Sequence, residues 1–168
     1  MRTILLSAII TIYSFGQSEL HHAQPPAVAS TPAALGTWKM NPALSKREGN
    51  GQWARSYTIR YEQHPEGERV TVWRVTWDGR HETEMYLLRF DGKDHAFLQS
   101  DRFETVSARK LPDGAVEELV KKEGKVVLRG LRRLSPDGRQ LTQEYQWTSP
   151  PARKAILILE RENEEARQ

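Results

Sequence analysis

The chain of 168 residues contains no cysteine. This absence excludes disulfide bonds, thiol chemistry and a lipid anchor attached to an N-terminal cysteine. The sequence also has no Gly-x-Ser-x-Gly motif, which removes one common setting for a nucleophilic serine. Beyond the N-terminal segment, no run of ten residues repeats its apolar positions with the helical period, so we expect no long amphipathic helix.

The sequence has no segment in which charges of one sign are concentrated. The chain has 25 lysines and arginines against 22 aspartates and glutamates, which gives a formal net charge of +3 and a sequence pI near 9.3. The two signs are interleaved, as in Arg60-Tyr61-Glu62. Nucleic-acid binding needs a continuous basic patch or stripe, so this pattern favours a solvated exterior and no nucleic-acid partner.

One long apolar run lies at the N-terminus. Met1-Arg2-Thr3 is a short basic start, residues 4–15 are mostly apolar, and Ser14-Phe15-Gly16 places small residues where a signal peptidase cleaves. We therefore predict a signal peptide over residues 1–16 and an exported protein, periplasmic or extracellular, with no transmembrane anchor after cleavage. The alternative is a membrane anchor, but the run is shorter than the ~20 residues that cross a bilayer.

Three further segments follow the predicted signal peptide. Residues 17–35 are rich in Pro, Ala, Ser and Thr without an apolar period, which predicts a flexible leader. Residues 36–161 form one predicted domain that is long enough to bury a core. Residues 162–168 form a charged C-terminal tail.

Short alternating segments separated by turns make up the predicted domain. Four Asp-Gly pairs, Asp78-Gly79, Asp91-Gly92, Asp113-Gly114 and Asp137-Gly138, supply the positive φ angles that tight hairpins need. Between the turns, polar and apolar residues alternate with period two. We predict strands over residues 36–40, 55–62, 69–77, 82–90, 95–98, 104–111, 115–122, 126–134, 141–148 and 155–161. Consecutive strands therefore fold back on one another as an antiparallel meander.

The number of strands favours a closed barrel over an open sheet. A flat meander would expose two hydrogen-bonding edges, whereas an up-and-down barrel has none. Residues 41–51 are loop-like, with a short helical turn over 43–46 as one option, and no layer of helices is encoded. The predicted fold class is all-β, an antiparallel up-and-down meander β-barrel of about 8–10 strands.

Five segments of the predicted domain stand in a characteristic order. They are Gly36-Thr37-Trp38-Lys39-Met40-Asn41 with Ser45-Lys46, Phe90-Asp91-Gly92-Lys93-Asp94, Gly124-Lys125-Val126, Ser135-Pro136-Asp137-Gly138-Arg139-Gln140-Leu141-Thr142 and Leu159-Glu160-Arg161. Together they resemble a group of exported bacterial lipocalin-like proteins of the calycin superfamily, which includes lipocalins and fatty-acid-binding proteins. The resemblance covers about residues 36–161.

This resemblance implies a barrel in which Trp38, next to Gly36, plugs one end and Arg161 packs across the indole. A guanidinium stacks favourably on an indole face, which is compatible with that arrangement. The chain also departs from the group. Phe90 stands where the group has tyrosine, and Trp73, Trp77 and Trp147 replace smaller residues, which would narrow the interior.

The sequence offers little for catalysis or metal binding. The histidines, His21, His22, His64, His81 and His95, are scattered without the close spacing of metal ligands. Asp91 and Asp94 could suggest calcium, but a hairpin turn accounts for them. No histidine and carboxylate lie close enough in sequence to nominate as an acid–base pair. We therefore expect no enzyme activity, no metal and no cofactor.

Arginines within apolar strands are the candidate ligand-binding residues. Arg74 is flanked by valines and a tryptophan, and strand alternation sends Arg129 and Arg132 to opposite faces. An inward arginine would need a partner, and an acyl carboxylate is a natural one. The alternative is an outward arginine paired with Glu118 or Glu144 of a neighbouring strand. The candidate cavity wall is aromatic and comprises Tyr57, Tyr61, Trp73, Trp77, Tyr86, Phe90, Tyr145 and Trp147.

Two functions from different classes follow from a small exported barrel. The first is non-catalytic binding of a small lipophilic or amphipathic molecule inside the barrel by a monomer. The second is an envelope-associated interaction or structural protein, which would have a filled interior and an exposed apolar patch. An enzyme acting at the barrel mouth is a third option, and it would need an inward titratable pair.

Overall fold

The computed structural model describes residues 34–49, 54–148 and 153–162. The predicted signal peptide, residues 17–33 of the predicted leader and residues 163–168 of the predicted tail lie outside the described residues. Within the described ranges, no helix is long and apolar enough to cross a membrane.

Eleven strands occupy the described residues. They are β1 (Gly36–Met40), β2 (Lys46–Glu48), β3 (Ser56–His64), β4 (Gly67–Val75), β5 (His81–Leu88), β6 (His95–Ala96), β7 (Thr105–Lys110), β8 (Val116–Lys122), β9 (Lys125–Leu134), β10 (Gln140–Trp147) and β11 (Arg153–Arg161). They form one antiparallel sheet in the order β5-β4-β3-β1-β11-β10-β9-β8-β7-β6, with β2 paired to β11. The predicted all-β antiparallel meander is confirmed. Strand β2 lies in the segment that was predicted to be a loop.

The sheet curls into a nearly closed barrel rather than a sealed one. The two ends of the sheet, β5 and β6, do not pair as strands and meet through a single bridge between Met85 and Gln99. There the amide of Met85 donates to the carbonyl of Gln99 at 2.8 Å, and the amide of Leu98 donates to the carbonyl of Met85 at 2.8 Å. Residues 97–103 therefore span the gap and form part of the barrel wall.

Three of the four Asp-Gly pairs connect strands that pair with each other, as predicted. These join β4 to β5, β7 to β8 and β9 to β10. The prediction of a hairpin at Asp91-Gly92 is wrong, because β5 and β6 stand at opposite ends of the sheet. The amide of Gly92 instead donates to the carbonyl of Ala108 in β7 at 3.0 Å, and Asp91 contacts His95.

One end of the barrel is closed by a tryptophan. Trp38 is fully buried, and its indole Nε1 donates to the carbonyl of Ala34 at 2.8 Å. The guanidinium carbon of Arg161 lies 4.4 Å from the indole ring centroid, and Nη1 of Arg161 donates to the carbonyl of Leu35 at 2.6 Å. A Cβ at Gly36 would lie only 2.7 Å from that Nη1. Glycine at this position therefore leaves the space that the arginine occupies.

Candidate functional site

The interior is not packed shut beyond the closed end. A cavity of about 380 Å³ extends from the middle of the barrel towards the end opposite Trp38. This volume lies within the ~300–1,000 Å³ range of small-molecule sites. Its apolar wall includes Val72, Val120, Leu128, Ala155 and Leu157. These residues come from β4, β8, β9 and β11, so the cavity is enclosed by opposite walls of the barrel.

Tryptophans and basic residues stand at the mouth of the cavity. Trp77 follows β4 and is 53% exposed, while Trp147 at the end of β10 is half-buried. The guanidinium carbon of Arg153 lies 5.6 Å from the Trp147 ring centroid. Arg47 and Lys154 also line the cavity at this end. The mouth therefore combines apolar ring surface with positive charge.

A four-membered charge cluster lies along one wall. It consists of Arg74 on β4, Glu82 and Glu84 on β5, and Arg102 in the segment that spans the gap. Arg74 Nε donates to Glu82 Oε2 at 3.0 Å, and Arg102 Nη1 donates to Glu84 Oε1 at 3.4 Å. Burial disfavours the charge on Arg74, but its contacts with Glu82 and Glu84 outweigh this and raise its pKa. Arg80 Nη1 lies 3.8 Å from Glu82 Oε1, and Arg80 also pairs with Asp78 at 2.9 Å. With this second pair included, the cluster has equal numbers of cations and carboxylates.

A chain of polar side chains crosses the barrel at the inner end of the cavity. The hydroxyls of Tyr57 and Tyr145 lie 3.0 Å apart, and Tyr145 donates to Gln143 Oε1 at 2.7 Å. Gln143 Nε2 in turn donates to the Tyr61 hydroxyl at 2.7 Å. Burial raises the pKa of all three tyrosines, so their hydroxyls stay protonated and neutral.

A buried ionic group lies beside this chain. Arg132 Nη2 lies 2.7 Å from Glu68 Oε2, and the two side chains are only 5% and 9% exposed. The guanidinium carbon of Arg132 also lies 4.3 Å from the Tyr61 ring centroid. Glu118, at 4% exposure, accepts a hydrogen bond from Tyr86 at 3.4 Å. Glu118 Oε1 and Arg132 Nη1 are buried without a hydrogen-bond partner among the described residues.

The structure brings together five of the eight residues predicted to bind a ligand. Tyr57, Arg74, Trp77, Tyr145 and Trp147 all line the cavity. None of these placements tests a binding role, which stays a prediction.

Arg132 faces inward and Arg129 outward, as the alternation required. Arg132 is paired with Glu68 and lies deeper than the cavity lining. The inward arginines therefore already have carboxylate partners inside the protein. The sequence analysis expects an inward arginine to pair with the carboxylate of a ligand. Arg74 and Arg132 pair instead with glutamates of the protein.

Trp73 and Arg129 do not belong to the cavity. Trp73 lies opposite Thr58 and Thr83 on the outer face and is 41% exposed. Adjacent strand residues point to opposite sides, so Trp73 and Arg74 could not both face inward. Arg129 is exposed on β9 because its neighbours Leu128 and Gly130 point inward.

Sequence reasoning missed most of the carboxylates inside the barrel. The enclosed or partly enclosed residues that it did not nominate are Glu68, Glu82, Glu84, Arg102, Glu118 and Gln143. Charged residues that alternate on a strand are typical of an outer face, and Glu118 was considered only as an outward partner. The signal that could have found some of them is the period-two alternation of the strand, because Glu82 and Glu84 lie on the same face of β5 as Tyr86 and the buried Leu88.

A histidine–carboxylate pair is present, contrary to the sequence analysis. His95 Nε2 lies 2.9 Å from Asp91 Oδ1, and His95 Nδ1 lies 2.7 Å from Arg89 Nη1. The pair was overlooked because Asp91 was assigned to a hairpin turn. It does not line the cavity. Among the described residues, no group of histidines and carboxylates could hold a metal ion.

Comparison with known proteins adds one structural likeness. No protein-family model matches the sequence, and no curated protein matches it. The structure is similar to the crystal structure of zebrafish ileal bile acid-binding protein complexed with cholic acid, with a TM-score of 0.45 and 10% sequence identity. The likeness covers 77% of this chain and 100% of that chain. A likeness at this level carries neither a ligand nor a function over to this chain.

Proposed function

We propose that this protein is an exported, non-catalytic binding protein that holds a small amphipathic molecule inside its barrel. The open cavity of about 380 Å³ is the observation that carries the proposal. A barrel of this size can be filled entirely by its own side chains, whereas the interior of this barrel contains an unfilled cavity. The rival hypothesis of an interaction barrel without an internal ligand predicted a filled interior, so the cavity favours binding.

The lining favours a molecule with one apolar and one polar part. Leu128, Leu157 and Val120 offer aliphatic surface, and each ~25 Å² of apolar surface that a ligand buries contributes roughly 0.6 kcal/mol. The wall of Arg74, Glu82, Glu84 and Arg102 and the inner hydroxyls offer hydrogen-bonding groups at fixed positions. A purely apolar ligand would leave these groups desolvated, which is unfavourable.

The non-catalytic part of the proposal rests on how the charged groups are held. Arg74 and Arg102 share Glu82 and Glu84, and Arg132 is held by Glu68. These ion pairs hold the charged groups at fixed positions, which suits them to fixing a ligand's orientation. Export rests on the predicted signal peptide.

A pair of tryptophan substitutions on one strand tests the proposal. Leu128 faces the cavity and its neighbour Arg129 faces solvent, so Leu128→Trp fills the space and Arg129→Trp is the matched control. Binding of an uncharged solvatochromic dye such as Nile red would be measured by fluorescence titration. We expect Leu128→Trp to weaken binding by ~tenfold or more, since ~1.4 kcal/mol of lost contact gives that factor. We expect Arg129→Trp to bind as the unmodified protein does.

Two outcomes contradict the proposal. One is an unmodified protein that does not bind the dye. The other is a Leu128→Trp variant that unfolds cooperatively, as the unmodified protein does, and still binds the dye equally well. The second result would place the dye on the outer face, where Trp73 is exposed, and would favour the interaction barrel.

A further inference from the structure

We propose that the inner end of the cavity is a site for an ammonium group, with Glu118 as its acceptor, and that the ligand is an amphipathic amine. This inference rests on the proposed binding function and names the class of its ligand. It reverses the charges expected from the sequence, where an arginine of the protein was to bind a carboxylate of the ligand.

The balance of buried charge is the first argument. The wall cluster of Arg74, Arg102, Glu82 and Glu84, extended by the Arg80–Asp78 pair, has equal numbers of cations and carboxylates. The inner group does not, because among the described residues Arg132 is the one cation beside the two carboxylates Glu68 and Glu118. The inner end therefore carries an excess negative charge when both are ionised. A ligand that brings one positive charge restores the balance, whereas a carboxylate increases the excess.

The hydrogen bonding of Glu118 is the second argument. Its Oε2 accepts from the Tyr86 hydroxyl at 3.4 Å, which is a long contact, and its Oε1 has no partner within the part of the chain that the structure describes. A buried carboxylate oxygen without a donor is costly, since its hydration is lost and not replaced. Glu118 and Tyr86 both line the cavity, so a bound molecule can reach this group. An ammonium group supplies up to three donors and a charge of the required sign.

The surroundings of Glu118 are the third argument. Tyr57 and Tyr145 line the same part of the cavity and present neutral hydroxyl oxygens, which accept hydrogen bonds. Val120 and Leu128 lie on the adjoining strand positions and provide the apolar wall for a short hydrocarbon tail. The arrangement thus orders a polar head at the inner end and an apolar body towards the tryptophans of the mouth.

Three ligands that differ only in the head group test the inference. Decylamine, decanol and decanoate would each be titrated into the full-length protein at neutral pH by isothermal titration calorimetry. We expect decylamine to bind ~tenfold or more tightly than decanoate, the factor that ~1.4 kcal/mol of differential interaction gives. In Glu118→Gln, which keeps the shape and removes the charge, we expect this preference to disappear. Glu117→Gln is the matched control, because Glu117 on the same strand pairs with Arg109 on the outer face.

The outcomes separate the two proposals. Tighter binding of decanoate than of decylamine, or an amine preference that survives in Glu118→Gln, overturns the ammonium site while the binding function stands. Tight binding of decanol with no preference for the amine shows that Glu118 acts as a neutral acid, which also overturns it. Failure of all three ligands to bind contradicts the binding function itself. If Glu118→Gln does not fold, the order of affinities for the three ligands in the unmodified protein still tests the ammonium site.

Discussion

Replacing Arg132 by methionine should destabilise the barrel strongly. Arg132 on β9 and Glu68 on β4 belong to strands that are not neighbours in the sheet, so their ion pair crosses the interior. Removing one partner of a buried pair costs ~3–5 kcal/mol, because the other charge stays buried without compensation. The stacking of Arg132 on Tyr61 adds to the loss. We therefore expect Arg132→Met to lower the free energy of unfolding by about 4 kcal/mol.

The reciprocal substitution should cost less. Glu68→Gln leaves Arg132 with an amide oxygen to donate to, with Tyr61 beneath it and with Glu118 as a remaining counter-charge. Loss of the charge from a charge-assisted hydrogen bond corresponds to ~2 kcal/mol. The double variant Arg132→Met with Glu68→Met should be more stable than Arg132→Met alone, because no carboxylate at position 68 is then left unpaired.

Urea unfolding followed by tryptophan fluorescence measures all three variants. With Glu68→Met added as a fourth variant, the free energies of unfolding of Arg132→Met, Glu68→Met, the double variant and the unmodified protein at neutral pH form a double-mutant cycle, and Glu68→Gln is compared separately. The reasoning is refuted if Arg132→Met costs less than ~1 kcal/mol, or if Glu68→Gln costs as much as Arg132→Met. Either result would mean that water reaches the pair and that the inner end of the cavity is not dry.

Two further predictions concern Glu118 and a tight turn. Burial raises the pKa of Glu118 above its ordinary value of 4.5, so this carboxyl favours folding at acid pH and its contribution is lost as the pH rises through its folded pKa. Glu118→Gln should therefore gain stability relative to the unmodified protein as the pH increases above 4.5 in urea titrations, and a pH-independent difference contradicts this. Gly67 has φ +145°, and a Cβ there would lie 1.9 Å from the carbonyl oxygen of Leu88. Gly67→Ala should lose ~2 kcal/mol or more in urea unfolding, against ~1 kcal/mol for Gly124→Ala, where a Cβ meets open space; equal losses would show that the backbone moves aside.

The fold could be predicted from the sequence because its determinants are local. Period-two alternation and Asp-Gly turns belong to neighbouring residues, and each of the ten predicted segments overlaps one strand, either β1 or one of β3 to β11, with differences only at the ends. The turn at Asp91-Gly92 is the exception, since nothing local distinguishes a hairpin from a connection between sheet edges. Whether the sheet closes fully depends on the meeting of Met85 with Gln99, which sequence pattern does not encode.

The site could be predicted only in part because its partners are distant in sequence. Alternation groups Tyr57 with Ile59 and Tyr145 with Leu141, but it leaves open whether Arg74 faces inward and cannot say what each side chain contacts there. Arg132 finds Glu68 at a separation of 64 residues, across the interior. Composition alone assigns such glutamates to the surface, where carboxylates are usually found. The hidden carboxylates are thus the residues on which the chemistry of this cavity depends.

Contacts that cross the interior also explain why the cavity stays open. Tyr57 on β3 meets Tyr145 on β10, Tyr61 on β3 meets Gln143 on β10, and the Arg132–Glu68 pair joins β9 to β4. Each contact fixes the separation of two walls at the length of two polar side chains, because shortening it would misalign a buried hydrogen bond and lengthening it would leave the groups unpaired. Apolar side chains would allow the walls to approach until the space was filled. The buried polar groups therefore hold the barrel open. The carboxylate of Glu118, one oxygen of which has no partner in the described ranges, is the group to which a ligand would donate.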